Sequence, residues 1–424
     1  MVCEEQDVLD GREAVVADSG SCVDEERCEV VMDKQKVLMV HNFYQIGGGE
    51  HTVFKNEVEL LRENGHEVIE YTRSNDELKH SIMKLALLPF TTIWSWKTYF
   101  DVRKIIKQEH IDIVHCHNTF PLISPSVYYA ARSMNVPVVQ TIHNFRFLCP
   151  NGIFYCKGKI CEKCNEKNSF KDAIRNNCYR NSKIATCILI AMLKFHRLIG
   201  TYKKITYIFL TEFNKEKFSN LIDLKSEQIF IKPNFQRNVI ASSRKEVNND
   251  GKYKFIFYGR LEENKGIISL VTMWQKLSHK YILHIYGTGS YRSYVEHIAG
   301  ENKNIKFFGF KNQEIIFSDI SSSVAVLITS ELYETFGMSI PESFSLATPI
   351  ICTDLGNPKL MVEESRGGMT YKINDFKSFY NALNEVVKNR SFYSKHADRY
   401  FKEKLNSDVN YKRLREIYDK ARVI

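Results

Sequence analysis

Two doubly wound α/β domains facing a cleft are what this sequence predicts, and three observations predict them. From Lys36 onward, short apolar runs recur, each followed by a turn and an amphipathic stretch. Continuous apolar runs alternating with helices mean parallel sheets covered on both faces. That rhythm stops at a polar, charged stretch, 236–252, and then starts again. The chain has 424 residues, more than one core usually supports.

The elements follow in order. Residues 1–31 hold ten acids against two arginines, a charge of −8, and have neither helix nor strand period. They also lack the cationic start, apolar core and cleavage site of a secretory signal. They read as an acidic flexible tail, with Met32 as an alternative start. A first domain, 34–235, has expected strands at 36–41, 67–72, 112–117, 136–143 and 205–211, and a cysteine-rich insert at 149–178. Beyond the linker 236–252, a second domain, 253–400, has expected strands at 255–260, 281–287, 305–310, 324–330 and 348–354. Residues 401–424 are helical in period and are read as a helix able to pack back on the first domain.

Apolar residues make up 44% and charged residues 26%, which argues against disorder over most of the length. The net charge is +9, so the chain beyond the acidic tail carries +17. So basic a body points to an anionic partner: a nucleotide, a nucleic acid, an anionic lipid surface or a phosphate-bearing substrate. Eleven cysteines without a signal sequence point to a reducing, cytoplasmic setting. No apolar run reaches the ~18 residues needed to span a bilayer; the longest candidate, Ile184 to Leu193, ends in Lys194, His196 and Arg197.

In doubly wound sheets ligands bind beyond the C-terminal ends of the strands, and each candidate motif falls just there. The first is IGGGEH, where Gly47, Gly48 and Gly49 precede a helix opened by Glu50. Glycines let a backbone approach a ligand, and a helix N-terminus offers N–H groups to an anion. A flexible turn explains the same residues. The second is GRLEENKG, whose Arg260 and Lys265 are two permanent cations able to neutralise a leaving pyrophosphate. The third is ELYETFGMSIPESFS. If it were helical throughout, Glu334 and Glu342 would stand ~12 Å apart along the axis. A retaining-glycosidase carboxylate pair needs ~5 Å, so two anchors for opposite ends of a long ligand suit the spacing better. Pro341 fits the first turn of a helix and Gly337 allows close approach before it.

The third motif resembles the E-x7-E motif of glycosyltransferase family 4, whose members have the two-Rossmann GT-B fold. The resemblance runs from about Lys36 to Lys420 and takes in the glycine loop, the Gly-Arg…Lys-Gly loop and DLGNPKLMVEESRGGMTY. It implies that Glu342 holds ribose hydroxyls and Glu334 hexose hydroxyls, with backbone near Phe336, Gly337 and Met338 facing sugar or phosphate. Arg260 and Lys265 would hold the diphosphate, Gly48 and Gly49 would cap it, and Phe310 and Lys311 would lie near the base. His143, ending TIHNF, matches the histidine that the family places beside the donor sugar. The loop after Asp354 reads GNPKL where the family commonly has a glutamate, and Lys359 departs from that pattern.

Membership would imply transfer of a hexose, with retention and without a catalytic metal, from a UDP- or GDP-sugar to a glycan or polyprenyl-linked acceptor in polysaccharide biosynthesis. The leaving phosphate would take the acceptor's proton. A nucleotide-sugar epimerase or hydrolase on the same fold is the nearest alternative. A zinc-knuckle protein binding nucleic acid is a more distant one, since no basic aromatic platform or recognition helix is evident.

Two further features stand apart from the donor motifs. Cys161-x2-Cys164 has the spacing of a zinc knuckle, and two more thiolates would complete a tetrahedral structural site. A similar insert in bacterial polysaccharide transferases of this family implies Cys149 and Cys178 for those two, with Cys156 spare. Reduced thiols without metal are the alternative. Residues 80–108 interleave Leu85, Leu87, Leu88, Phe90, Trp94, Trp96, Tyr99 and Phe100 with Lys84, Lys97, Arg103, Lys104 and Lys107. That composition suits a helix lying on the inner face of a membrane, and equally an amphipathic core helix.

Overall fold

The computed structural model describes residues 34–45, 47–79, 81–223, 226–237 and 251–423. The acidic segment 1–31, Met32 and residues 238–250 of the expected linker lie outside the described residues.

Strands of the first half are β1 (Lys36–Phe43), β2 (Glu67–Ser74), β3 (Ile113–Asn118) and β4 (Val138–Ile142). A hairpin in the insert gives β5 (Tyr155–Cys156) and β6 (Lys159–Ile160), and β7 (Thr206–Phe209) and β8 (Ile229–Ile231) follow. Except for the hairpin they form one parallel sheet in the order β2-β1-β3-β4-β7-β8. The run at 229–231, which is not among the strands expected from sequence, extends this sheet. Strand β3 is buried along its whole length although it reads IVHCHN, so its histidines and asparagine face inward. Helix Gly49–Glu63 lays Val53, Phe54, Val58 and Leu61 on the sheet at helical spacing, and carries the fully buried Glu57 among them.

The second half contributes β9 (Tyr253–Tyr258), β10 (Tyr281–Tyr286), β11 (Ile305–Gly309), β12 (Ala325–Ile328), β13 (Ile350–Thr353) and β14 (Gly368–Tyr371). Their order is β11-β10-β9-β12-β13-β14, again parallel, around a core that includes Phe255, Trp274, Leu283 and Phe379. Sequence reading did not anticipate β14. Its four residues lack a β-branched run, and it pairs with β13 through Gly368, where an added Cβ would stand 1.8 Å from the Ile350 carbonyl oxygen. Strand order reverses at β1 in the first sheet and at β9 in the second. These are the switch points where doubly wound sheets open a crevice.

The last helix, Ser407–Val423, returns to the first half. Tyr411, Leu414, Ile417, Tyr418 and Ala421 recur every three or four residues and pack with Val37, Met39, Phe54, Ile113 and Ile208. The Asn410 side chain donates to the Pro233 carbonyl at 2.6 Å, and Gln236 N–H to the Leu405 carbonyl at 3.0 Å. Leu414 is fully buried there, so Leu414→Ala should cost about 2–5 kcal/mol in urea unfolding, and a loss below about 1 kcal/mol would exclude the helix from this core.

Candidate active site

A cleft runs along the strand ends of both sheets. From the first half it is lined by Gly47, Gly48, Gly49 and Glu50 after β1, by His143, Asn144 and Arg146 after β4, and by Gly152 and Ile153 of the insert. From the second half come Gly259, Arg260 and Lys265 after β9, and Thr329, Ser330 and residues 332–339 after β12. Of the candidates read from sequence, the cleft brings together Gly48, Gly49, His143, Arg260, Lys265, Glu334, Phe336, Gly337 and Met338.

The loop after β9 turns sharply at Gly266, whose φ is +70° and whose Cβ, if present, would fall 1.9 Å from the Thr329 carbonyl oxygen. This close approach sets Lys265 against the loop after β12. Its ammonium pairs with Glu334, which also accepts the Ser330 hydroxyl at 2.5 Å. Burial opposes ionisation of Glu334, but Lys265, Ser330 and Arg260 hold its carboxyl below the usual range. Arg260 itself is exposed at the cleft.

Glu334 is not helical. The helix of this motif begins at Ser339 and holds only Glu342, so the axial separation expected for a continuous helix does not apply. What fixes Glu334 is a pair of buried amides spanning the two halves. Asn357 Nδ2 donates to the Glu334 and Thr335 carbonyls at 2.9 and 2.5 Å and to Asn214 Oδ1 at 2.9 Å. Asn214 Nδ2 donates to the Thr335 carbonyl at 2.5 Å, and Thr211 donates to Asn357 Oδ1 at 2.6 Å.

Glu342 does not line the cleft directly. Its Oε2 accepts the hydroxyl of Tyr258, a cleft residue, at 2.6 Å. Burial pushes its carboxyl up to about 7, against the pull of Tyr258. Phe336 is buried in the core, so only its backbone can face the cleft. Phe310 and Lys311 stand apart: they follow β11, the edge strand, and are exposed outside the cleft lining. One strand, β10, separates β11 from the switch point at β9, which is why its loop opens to solvent.

On the opposite wall, Gly49 lies against Met338, 3.3 Å from where its Cβ would stand. Gly48 is extended (φ −140°, ψ −177°) and an added Cβ would meet nothing within 4 Å. Neither backbone freedom nor packing within the protein requires glycine at this position. Glu50, just beyond, has its carboxyl pushed up to about 7 by burial, opposed by Arg146 and Asn144. His143 is almost buried, and desolvation together with Lys232 lowers it to about 3, so it is neutral. Its Nε2 lies 2.8 Å from His117 Nδ1.

Glu57, His115 and His117 bring three ligand-type atoms within 4.8 Å of one another. They do not fit a metal ion. Both ring nitrogens of His115 are engaged, with Tyr418 OH at 2.7 Å and Thr141 Oγ1 at 2.8 Å, and the Lys232 ammonium already stands 3.5 Å from Glu57.

In the insert, Cys149, Cys161, Cys164 and Cys178 surround one small cavity. Cys156, left spare by sequence, lines it too, and its thiol hydrogen-bonds with Cys178. No three of these thiols have all their sulfurs within 4.8 Å, since among the described residues only the Glu57 group meets that distance. Burial raises the thiols of Cys149, Cys164 and Cys178, the last two to about 12.

Sequence reading missed Tyr258, Asn214, Asn357, Glu50 and His117 as parts of the site. The one available signal was HCH within the apolar run of β3, where two polar residues at period two mark a strand with a polar inner face.

Comparison with known proteins agrees with this architecture. The family model described as Glycosyltransferase Family 4 matches residues 46–188, and that described as Glycosyl transferases group 1 matches residues 239–404. The chain is 25% identical over 309 residues, 69% of its length and 70% of the relative's, to the UDP-Gal:alpha-D-GlcNAc-diphosphoundecaprenol alpha-1,3-galactosyltransferase of Escherichia coli. It is 26% identical over 144 residues to the lipopolysaccharide core biosynthesis glycosyltransferase LpsE of Rhizobium meliloti, a stretch that is 33% of this chain and only 41% of that relative. The solved structure of HepE from Anabaena in complex with UDP superposes with a TM-score of 0.60 at 13% identity, over 91% of this chain and 100% of that one.

Proposed function

The chain belongs to glycosyltransferase family 4 and has its GT-B fold, and from that premise we propose that it transfers a hexose from a UDP- or GDP-sugar, with retention of configuration and without a catalytic metal, to a glycan or polyprenyl-linked acceptor in polysaccharide biosynthesis. The observation that carries this reading is the convergence of Arg260, Lys265 and Glu334 opposite Gly48 and Gly49 across one cleft. The relatives named for lipopolysaccharide core and diphosphoundecaprenol substrates support the acceptor class, and the relative named for UDP-Gal and the solved structure in complex with UDP support a nucleotide-sugar donor.

In this reading Arg260 and Lys265 neutralise the diphosphate as it leaves, the task that a metal ion performs elsewhere. The room beside Gly48 belongs to the donor phosphate. The acceptor hydroxyl attacks the anomeric carbon from the face the diphosphate leaves, and its proton passes to the departing phosphate oxygen. Glu334 serves the hexose hydroxyls. Already held by Lys265 and Ser330, it is a poor covalent nucleophile. His143 stands beside the hexose; Phe310 and Lys311, exposed outside the cleft lining, are given no part in holding the base.

Glu342 supplies the test. Ribose hydroxyls need an acceptor, and the carboxylate is present above about 7 and lost below it. Donor affinity, measured by calorimetry with UDP- and GDP-hexoses, should therefore fall about tenfold from pH 8 to pH 6. Glu342→Gln should remove that dependence and weaken binding about tenfold. A flat pH profile, or unchanged affinity in the variant, contradicts the assignment.

The cysteine cluster is proposed as a structural zinc site of Cys149, Cys161, Cys164 and Cys178, closing on the ion from the positions described. Gly152 and Ile153 of the same insert line the cleft, so the metal would stiffen one wall of it. Protein purified without chelator should hold about one zinc per chain, and less than ~0.3 would defeat the idea.

A peripheral membrane contact is proposed for two adjoining helices, Ile82–Ile93 and Lys183–Leu198, with the start of Trp96–Glu109. Leu85, Leu87, Phe90, Trp96, Phe100, Ile184 and Leu198 are exposed there, beside exposed Lys84, Lys97, Lys183 and Lys194. Leu88, Trp94 and Tyr99 turn partly inward. None of the described helices is long and apolar enough to cross a membrane. Sedimentation with vesicles should increase with anionic lipid content, and indifference to it would argue against docking.

A further inference from the structure

Behind His143 lies a line of buried polar groups that no step so far uses. His143 ends β4 and lines the cleft, and its ring stacks on that of His117 at 5.0 Å. One nitrogen of each ring shares a hydrogen bond, His143 Nε2 to His117 Nδ1, at 2.8 Å. The other nitrogen of His117, Nε2, is buried without a hydrogen-bond partner and stands 3.9 Å from Glu57 Oε2. Glu57 reaches that point from the core face of helix Gly49–Glu63, where it is fully buried. Lys232, also fully buried, stands 3.5 Å from the same carboxylate oxygen and 3.0 Å from Asn410 Oδ1.

A neutral imidazole has one N–H and one lone pair, so the bond between the two rings exists in two forms. Either His143 donates to His117 and offers the cleft a lone pair on Nδ1, or His117 donates and His143 offers an N–H. The two forms differ at His117 Nε2, which carries a proton in the first and a lone pair in the second. A lone pair turned towards a buried carboxylate is repelled, whereas an N–H is attracted, and low dielectric enlarges the difference. At 3.9 Å the contact is longer than a hydrogen bond, so its effect is electrostatic. Around that ring, Phe54 presents its edge at 5.3 Å, the His41 ring stands 6.4 Å away, and His115 has both nitrogens occupied.

We propose that Glu57, acting through His117, fixes the tautomer of His143 so that His143 Nδ1 accepts a hydrogen bond from a sugar hydroxyl in the cleft. Glu57 and His117 are positioning residues; burial raises the Glu57 carboxyl above its usual range, and the Lys232 ammonium beside it opposes that rise and favours the carboxylate. The inference rests on the reading that His143 lies beside the hexose.

Two measurements test it. In the unaltered protein with 15N-labelled histidine, long-range 1H–15N correlations should show both His143 and His117 as the Nε2–H tautomer, assigned from His143→Ala and His117→Asn spectra. An Nδ1–H or doubly protonated His143 overturns the proposal without any appeal to a variant of Glu57. The second removes both buried charges together, in Glu57→Gln with Lys232→Met, so that no charge is left unpaired. With the melting temperature confirming a folded chain, the gain in affinity of a nucleotide sugar over its nucleoside diphosphate should shrink about fivefold to tenfold, the worth of one hydroxyl hydrogen bond, while the diphosphate alone binds as before. An unchanged gain overturns the proposal; if this variant does not fold, the wild-type spectrum decides. His143→Ala is the control for the underlying reading. If it keeps the full gain, the placement of His143 at the hexose fails, whatever its tautomer.

Discussion

A parallel sheet delivers the C-terminal ends of all its strands to one edge, and in this chain two such edges meet. Everything chemically distinctive follows from that constraint. Gly48 and Gly49 come after β1, His143 after β4, Arg260 and Lys265 after β9, and Glu334 after β12, yet all of them reach the same cleft. In sequence these residues are scattered over almost three hundred positions. Only strand direction gathers them.

Strand ends bring loops close together but do not hold them, and here holding is done by buried polar groups. Asn214 and Asn357 tie the backbone at Glu334 and Thr335 to both halves. Lys265 and Ser330 then set the Glu334 carboxylate. Behind the opposite wall, Glu57 and Lys232 lie wholly inside. Each arrangement is costly to break on one side only, because the partner left behind is a buried polar or charged group. The same economy makes the cleft cationic where it opens to solvent at Arg260 and charge-balanced where it is deep.

The fold was largely legible because its strands are apolar runs of ordinary length, and ten of them fall where those runs predict. The exceptions have simple causes. Strand β14 rests on Gly368 and has no β-branched run to announce it, and β8 is three residues long. The donor motifs were legible because each occupies one loop, whereas Asn214 with Asn357 and Glu57 with His117 depend on pairs far apart in sequence. Periodicity failed at Glu334 for a related reason: its loop is set by contacts with the other half, and the helix starts only at Ser339. Phe310 and Lys311 look like part of the site in a one-dimensional reading, and edge position takes their loop away from the cleft. The zinc-knuckle spacing had no such ambiguity in sequence, yet a fifth thiol, Cys156, shares the cavity. The basic body, compatible with nucleic acid by charge alone, belongs to a glycosyltransferase.

The central claim is that the donor's diphosphate is held by Arg260 and Lys265 while Glu334 holds its hexose. A structure of the chain with a bound nucleotide sugar tests this most directly. The account predicts diphosphate oxygens within about 3 Å of the Arg260 guanidinium and the Lys265 ammonium, and a hexose hydroxyl at similar distance from Glu334. A donor bound with its diphosphate away from both cations, and the Lys265–Glu334 pair untouched, would contradict it.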